Sequence, residues 1–161
     1  MISIFNLENV IGSEFDDSLT GNSGNNNLTG RDGNDVISGG EGDDFITGSN
    51  GTDILTGGEG SDRFVYLSPS EGGDTITDFA QGTDKIAVVS AVFGGGLPVG
   101  ELPESRFSLG SGATTSEQRF IFNNASSELF YDADGSGAAT PQLVATLTDV
   151  SNLSAGDIMV L

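Results

Sequence analysis

Residues 12–65 consist of six consecutive nonapeptides: GSEFDDSLT, GNSGNNNLT, GRDGNDVIS, GGEGDDFIT, GSNGTDILT and GGEGSDRFV. The first position is always Gly, the fourth is Gly in all but the first unit, and the sixth is Asp in all but the second. The eighth position is always a large apolar residue. Because the six units follow one another in a single frame, they indicate a repeat architecture and not a set of unrelated surface turns.

Each nonapeptide combines a short strand with a flexible acidic turn. In GGEGDDFIT (residues 39–47), the last three residues carry one inward side chain, Ile46, because alternate side chains of a strand face opposite sides. Glycines reach positive φ and leave room for close backbone approach, so carbonyl oxygens and the carboxylate of Asp44 can converge in the turn. Converging oxygens suit a hard cation with about six to eight ligands, which favours calcium over magnesium or zinc.

The repeats resemble the RTX (repeats-in-toxin) family of hemolysin-type calcium-binding nonapeptides, with the pattern G-G-x-G-x-D-x-U-x. This resemblance implies an all-β fold, a right-handed parallel β-roll in which two nonapeptides make one coil, with strands in two sheets and turns in two columns. Alternate repeats share a column, so an internal Asp can serve two calcium ions. After Val65 the same kernel recurs in GGDTI and GTDKI, which we interpret as two degenerate repeats that extend the roll to residue 87.

The resemblance implies roughly four to six calcium ions between successive turns of each column. The predicted side-chain ligands occupy the sixth position: Asp17, Asn26, Asp35, Asp44, Asp53, Asp62, Asp74 and Asp84. The predicted carbonyl ligands belong to the turn glycines Gly30, Gly33, Gly39, Gly42, Gly48, Gly51, Gly57 and Gly60. Asn26 offers an amide instead of a carboxylate, so the site that it shares with Asp44 is expected to be weaker.

The two ends of the roll are expected to be capped. Phe15 replaces a turn glycine in the first unit, which suggests that the first coil forms an N-terminal cap with Val10 and that residues 1–11 are a cap or linker from a preceding region. Residues 88–161 are expected to form a C-terminal antiparallel β cap, because a solenoid needs its open end covered.

Within the predicted C-terminal cap, residues 88–118 are expected to be irregular, with SAVF and SRFSL as anchors. RFIFN (119–123) and ELFYDA (128–133) predict an antiparallel hairpin, followed by strands in QLVATLTDV (142–150) and DIMVL (157–161). The side chains expected to be buried are Phe120, Phe122, Leu129, Tyr131, Leu143, Ala145, Leu147 and the terminal apolar residues.

A second type of metal site is suggested by DADGSG. Asp132 and Asp134 stand at alternate positions, as at the start of an EF-hand loop, but the twelfth position is Leu143 instead of Glu and the flanking segments are strands. A polar turn between two strands explains the same residues. Both interpretations remain open at the level of the sequence.

Composition excludes several functions. The formal net charge is −19, which disfavours nucleic acid and anionic membranes as partners and favours bound cations. The chain has no His and no Cys, so it lacks the residues for an HExxH metalloprotease, a Ser-His-Asp triad or a thiolate zinc site, and we expect no enzymatic activity. No apolar run reaches the roughly eighteen residues of a membrane span, and MISIFNLENV (1–10) lacks the basic and apolar regions of a cleaved signal peptide, so we do not expect export by that route.

The C-terminal residues Asp157 to Leu161 resemble the uncleaved type I secretion signal of the RTX family. The resemblance implies an extracellular, monomeric module, secreted through the type I machinery, that stays unfolded at cytosolic calcium and folds in extracellular calcium. It would support secretion and stability of a larger protein. The alternative is an adhesin-like or ice-binding surface protein, based on the ninth-position ladder Thr20, Thr29, Ser38, Thr47 and Thr56, although Thr also suits exposed strands in general.

Overall fold

The computed structural model describes the backbone of residues 2–3 and 9–161, with side chains from residue 9 onward. Met1 and residues 4–8, which belong to the predicted N-terminal segment 1–11, lie outside this description. The strands are β1 (Ile2–Ser3), β2 (Asn9–Ile11), β3 (Ser18–Thr20), β4 (Asn27–Asp32), β5 (Val36–Glu41), β6 (Phe45–Asn50), β7 (Ile54–Glu59), β8 (Arg63–Tyr66), β9 (Asp74–Ile76), β10 (Lys85–Val88), β11 (Gly100–Glu101), β12 (Phe107–Leu109), β13 (Phe120–Asn123), β14 (Glu128–Tyr131), β15 (Gln142–Leu147) and β16 (Ile158–Val160). Helical structure in this part is limited to α1 (Ser90–Phe93) and to 3-10 turns at Pro69–Glu71, Glu104–Arg106 and Ala155–Asp157.

The nonapeptides alternate between two sheets. The strand orders are β1-β3-β5-β7-β9-β15-β14-β13-β12 and β11-β16-β10-β8-β6-β4-β2. Within the repeats every strand pairs in parallel with the strand of the next coil, as in the alignment of Ile37 with Leu55 and of Leu28 with Ile46. The predicted all-β parallel roll is therefore confirmed, with about four turns.

The eighth-position residues stack into one narrow core between the sheets. Every one of them is buried: Leu19, Leu28, Ile37, Ile46, Leu55 and Phe64. Ile76 aligns with Leu55 and Ile86 with Phe64, and both are fully buried. The strands of the two irregular segments after Val65 thus continue the two parallel sheets.

Strands β4 to β7 are longer than the three residues that the period predicts. Each spans six residues, because parallel pairing resumes after the first-position glycine. Arg31 pairs with Ser49, and both have positive φ, at 87° and 76°. The backbone turns sharply at this second position and again at the fourth, while neighbouring coils stay hydrogen-bonded through the corner.

The C-terminal half contains the predicted hairpin, β13 paired antiparallel with β14. Its last two strands, however, extend the roll itself: β15 pairs in parallel with β9, and β16 pairs in parallel with β10. The cap is therefore mixed and not purely antiparallel.

Three predicted core residues of this half, Leu143, Met159 and Leu161, are not fully buried. Leu143 is only half-buried, because a register shift between β14 and β15 at Leu129 and Phe130 brings Val144 into the core. Leu161 is 42% exposed, because it follows the end of β16. The other named residues, Phe120, Phe122, Leu129, Tyr131, Ala145 and Leu147, are buried as predicted.

The two expected anchors hold the irregular segment in place. Phe93 in SAVF and Phe107 in SRFSL are buried. Phe93 packs edge-on against Tyr131, with ring centroids 5.0 Å apart, and the Tyr131 hydroxyl donates a hydrogen bond to the Phe93 carbonyl. In the described residues, no helix has the length and apolar character needed to cross a membrane.

Candidate metal centre

The sixth-position side chains form two ladders, one at each edge of the roll. The first ladder contains Asp17, Asp35, Asp53 and Asp74, and the second contains Asn26, Asp44, Asp62 and Asp84. From the second rung of each ladder onward, the Oδ1 atom accepts a hydrogen bond from the backbone N–H of the sixth-position residue one coil earlier, at 2.7–3.0 Å. The structure thus places the predicted residues in two columns, with one carboxylate oxygen of each of these Asp residues fixed.

The second carboxylate oxygen is free in the interior of both ladders. Within the described part of the chain, the Oδ2 atoms of five residues are buried without a hydrogen-bond partner: Asp35, Asp44, Asp53, Asp62 and Asp74. A buried carboxylate oxygen without a partner is costly, so it calls for a cation or a proton. The end rungs differ, since Asp17 Oδ2 accepts from the Ser13 hydroxyl at 2.8 Å and Asp84 Oδ2 from the Ala80 N–H at 2.8 Å.

The first-position glycines show where the free oxygens point. A Cβ atom added to Gly39 would collide with Asp44 Oδ2 and lie 2.6 Å from the carbonyl oxygen of Gly57, one coil later. The same two kinds of oxygen meet at Gly30, where the Gly48 carbonyl is 2.8 Å away. None of these glycines has positive φ, so glycine is needed here for space. Each leaves a cradle of oxygens that suits a hard cation.

Gly12 and Gly21 also form such cradles, although they were not among the predicted ligands. The added Cβ atom of Gly12 would lie 2.5 Å from the Gly30 carbonyl and 2.8 Å from Asp17 Oδ2, and at Gly21 it would meet the Gly39 carbonyl and Asn26 Oδ1. Both glycines occupy the first position of their units, so the repeat pattern contained the signal.

The fourth-position glycines have a different role in the turn. Gly33, Gly42, Gly51 and Gly60 have φ values of 122°, 108°, 145° and 133°. A Cβ atom on any of them would collide with the backbone of the preceding coil, such as Gly33 O for Gly51. They permit the corner and the close stacking of coils. Two other fourth-position glycines depart from this rule: Gly24 has no positive φ, and at Gly72 φ is −85° while the positive value of 110° falls on Gly73.

Burial raises the pKa of the stacked carboxyl groups. The pKa of Asp62 is raised to about 6 by burial and then by the charges of Asp84, Asp44 and Asp78. The pKa of Asp74 is raised to about 7, again chiefly by burial. No three His, Cys, Asp or Glu side chains of the described residues form a metal-binding group, so any cation in the cradles depends on backbone carbonyls as well as carboxylates.

Calcium affinity is expected to fall as the pH decreases from about 8 to about 5. Without metal, the folded chain keeps a proton on Asp62 up to about pH 6 and on Asp74 up to about pH 7. In the unfolded chain the same carboxyl groups have their ordinary pKa of 3.8. The metal-free fold therefore loses stability as the pH rises through this range, and a bound cation must displace the protons. Calorimetric calcium titrations in buffers of different ionisation enthalpy would measure the affinity and the proton release, and identical affinities with no released protons would contradict this expectation.

Asp132 and Asp134 lie apart from the ladders, in the turn after β14. Asp132 Oδ1 accepts from the N–H groups of Asp134 and Gly135 at 3.2 and 3.0 Å, and Asp134 Oδ2 accepts from that of Ala138 at 2.9 Å. The hydrogen bond from Ala139 is the main cause of a lowered pKa of Asp134. These bonds account for both carboxylates as turn residues, and the calcium interpretation stays a prediction.

Two further sets of acidic or amide side chains were missed from the sequence. At the fifth position, Asp16, Asn34, Asn25 and Asp43 accept from the backbone one coil later, as in the 2.9 Å bond from Thr52 N to Asn34 Oδ1. Asp78 accepts from the N–H groups of Gly57 and Gly58 at 2.9 and 2.8 Å. The frequent Asp or Asn at the fifth position was a usable signal, whereas Asp78 follows an insertion that hides its register.

Comparison with known proteins found one family model that matches the repeats and solved structures with a similar fold. Residues 11–46 and 29–64 match the family model of the RTX calcium-binding nonapeptide repeat (4 copies). The AlgE6R3 subunit of the mannuronan C5-epimerase of Azotobacter vinelandii is similar in structure, with a TM-score of 0.61 and 27% identity over 93% of this chain and 81% of that one. The AlgE6R2 subunit of the same enzyme has a TM-score of 0.57 and 25% identity, over 92% and 90%. A comparison with curated proteins gave no match.

Proposed function

We infer from the RTX calcium-binding nonapeptide repeats of residues 11–64 that this chain is a module which calcium binding folds and stabilises. RTX repeats bind calcium as a family. The observation that carries the proposal for this chain is the set of five buried Oδ2 atoms without a hydrogen-bond partner in the described residues. A cation in each cradle would supply that partner, and the free energy of binding would then be folding free energy.

We assign the ions to the intervals between successive turns of each column. The six first-position glycines from Gly12 to Gly57 mark six intervals, in line with the roughly four to six ions expected from the repeats. The interior intervals at Gly30 and Gly39 combine a free carboxylate oxygen with a carbonyl of the next coil and should bind most tightly. At Gly21 the amide oxygen of Asn26 takes the place of a carboxylate oxygen beside the Gly39 carbonyl, so this interval should bind more weakly.

Isothermal titration with calcium tests the assignment through Asp44→Asn. The amide oxygen of this variant can still accept from Asn26 N, but an NH2 group replaces the free Oδ2, so at least one ion should be lost or weakened about tenfold or more. Asp43→Asn is the matched control, because it removes the same charge at an exposed neighbour whose bond to Ser61 N an amide can keep. Equal stoichiometry and affinity in all three proteins would refute the assignment.

We further propose three regions and a secreted location. Residues 1–11 would be a cap or linker, residues 12–87 the calcium-binding roll, and residues 88–161 the cap that carries a type I secretion signal. The net charge of −19 supports folding after export and not before it, since the acidic turns repel one another and stay unfolded while calcium is scarce. Extracellular calcium, at about 10⁻³ M, would then fill weak sites and fold the chain after export as a monomer.

We propose a supporting role and not catalysis for this chain. The similar solved structures are subunits of an epimerase, which is consistent with a module that accompanies a catalytic unit in a larger secreted protein. The adhesin-like or ice-binding alternative gains no support from the outer surface. Its ninth-position ladder divides between the two sheets, and Thr47 is buried, so it offers no single flat face.

A further inference from the structure

Tyr66 interrupts the first column of cradles. It follows Val65 at the first position of its unit, where the preceding turns of the same column have Gly12, Gly30 and Gly48. Its side chain is 2% exposed, and its hydroxyl is buried with no hydrogen-bond partner among the described residues. A buried hydroxyl without a partner is unfavourable, so this position needs an explanation beyond packing.

The hydroxyl faces the last two carboxylates of the same column. Burial raises the pKa of Tyr66 well above its ordinary value, and the Asp74 carboxylate, followed by that of Asp53, raises it further. Asp53 and Asp74 have no exposed surface, and Asp74 Oδ1 accepts from Asp53 N at 2.9 Å. Their Oδ2 atoms have no partner either. The last interval of the first column is therefore lined by three buried oxygens that have no hydrogen-bond partner among the described residues.

The coil that closes this interval differs from the earlier coils of the column at its first position. A Cβ atom added to Gly48 would collide with Asp53 Oδ2, as one on Gly30 would collide with Asp35 Oδ2, so the space between the coils is the same. The next coil, however, has Tyr66 where the earlier coils have glycine, and it therefore brings a side chain with a hydroxyl group to a position where those coils have none.

We propose that the last interval of the first column is a cation site of its own kind, in which the Tyr66 hydroxyl is an additional ligand beside Asp53 and Asp74. The phenol oxygen is a neutral, hard ligand, and its proton can be donated to the Asp74 carboxylate, which orients that group. The inference rests on the proposed calcium binding, and it adds a side-chain ligand that the repeat pattern does not contain.

Terbium luminescence tests the site, because the chain has two tyrosines and no tryptophan. Tb³⁺ accepts oxygen ligands like calcium and emits when a nearby excited tyrosine transfers energy to it. Tyr131→Phe, which leaves Tyr66 as the sole tyrosine, should keep the sensitised emission. Tyr66→Phe should lose most of it and should weaken one calcium site about tenfold in calorimetry. Circular dichroism in calcium would establish that both variants fold.

The outcomes separate this inference from the proposed function. If the wild-type chain binds neither Ca²⁺ nor Tb³⁺, the calcium-binding function itself is wrong. If it binds both, but Tyr131→Phe abolishes the emission, then Tyr66 is not near a site and the inference alone is overturned. Because that second measurement leaves Tyr66 unchanged, it stays decisive even if Tyr66→Phe does not fold. Unchanged calcium affinities in a folded Tyr66→Phe would also contradict the hydroxyl as a ligand.

Discussion

Chelation of calcium with EGTA is expected to unfold residues 12–87, and added calcium is expected to restore their β-structure. Without cations, five buried carboxylate oxygens have no partner in the described residues. Each costs about 1–3 kcal/mol when neutral and more when charged. Together these costs are comparable with the whole net stability of a small domain, about 5–15 kcal/mol. The narrow core, one apolar residue per nonapeptide, is too small to compensate.

Far-UV circular dichroism with and without EGTA measures this transition. Magnesium is the control cation, because its smaller shell demands near-octahedral geometry and keeps its waters, so it should not restore the fold. The effect should reach the C-terminal half as well, since β15 and β16 lose their parallel partners β9 and β10 when the roll opens. A spectrum that neither EGTA nor calcium changes would show that the roll is stable without metal and would remove the basis of the proposed function.

The C-terminal residues have a definite place in the folded state. The strand predicted in DIMVL is an inner strand of its sheet, since β16 lies between β10 and β11. Asp157 is buried, and its Oδ1 accepts from the N–H of Gly82, in the turn that also carries Asp84. Leu161 N donates to the Val88 carbonyl at 2.8 Å. If these residues are a secretion signal, the exporter must recognise them before the roll folds, which fits the proposed order of export and calcium binding.

The repeat period predicted the parts of the fold that repeat. A strict spacing of nine residues fixes which side chains are inward, so the core from Leu19 to Ile86 followed directly. The same spacing placed the sixth-position residues in two columns. The sequence could not show that Oδ1 of a sixth-position Asp accepts a backbone hydrogen bond while its Oδ2 has no partner. That difference depends on how one coil stacks on the next.

The parts that do not repeat were harder to predict. Tyr66 and Asp78 both take first-position places that glycine holds elsewhere. Tyr66 still follows the frame of nine, but the insertion between Tyr66 and Asp74 hides the register of Asp78. The pairing of β15 with β9 joins residues about seventy positions apart, and alternating hydrophobicity gives no information about such a partner. Tertiary contacts, and not local pattern, determine these features.

Gly39→Ala is expected to abolish the binding of one calcium ion in the second column and to destabilise the calcium-bound roll by more than about 3 kcal/mol. The new methyl group would collide with Asp44 Oδ2 and lie 2.6 Å from the Gly57 carbonyl, at the point where the two oxygens converge. It would fill the cradle and also force two backbones apart. Since Gly39 does not have positive φ, the loss would come from the occupied space and not from backbone strain.

Gly112→Ala provides the matched control. That glycine has no heavy atom within 4 Å of an added Cβ and no positive φ, so its substitution should change stability by less than about 0.5 kcal/mol. Calorimetric counting of calcium ions, together with thermal unfolding in saturating calcium, distinguishes the two variants. If Gly39→Ala binds as many ions as the wild type with the same affinity, the oxygens at Gly39 do not hold a cation, and first-position glycine serves only to let the coils pack.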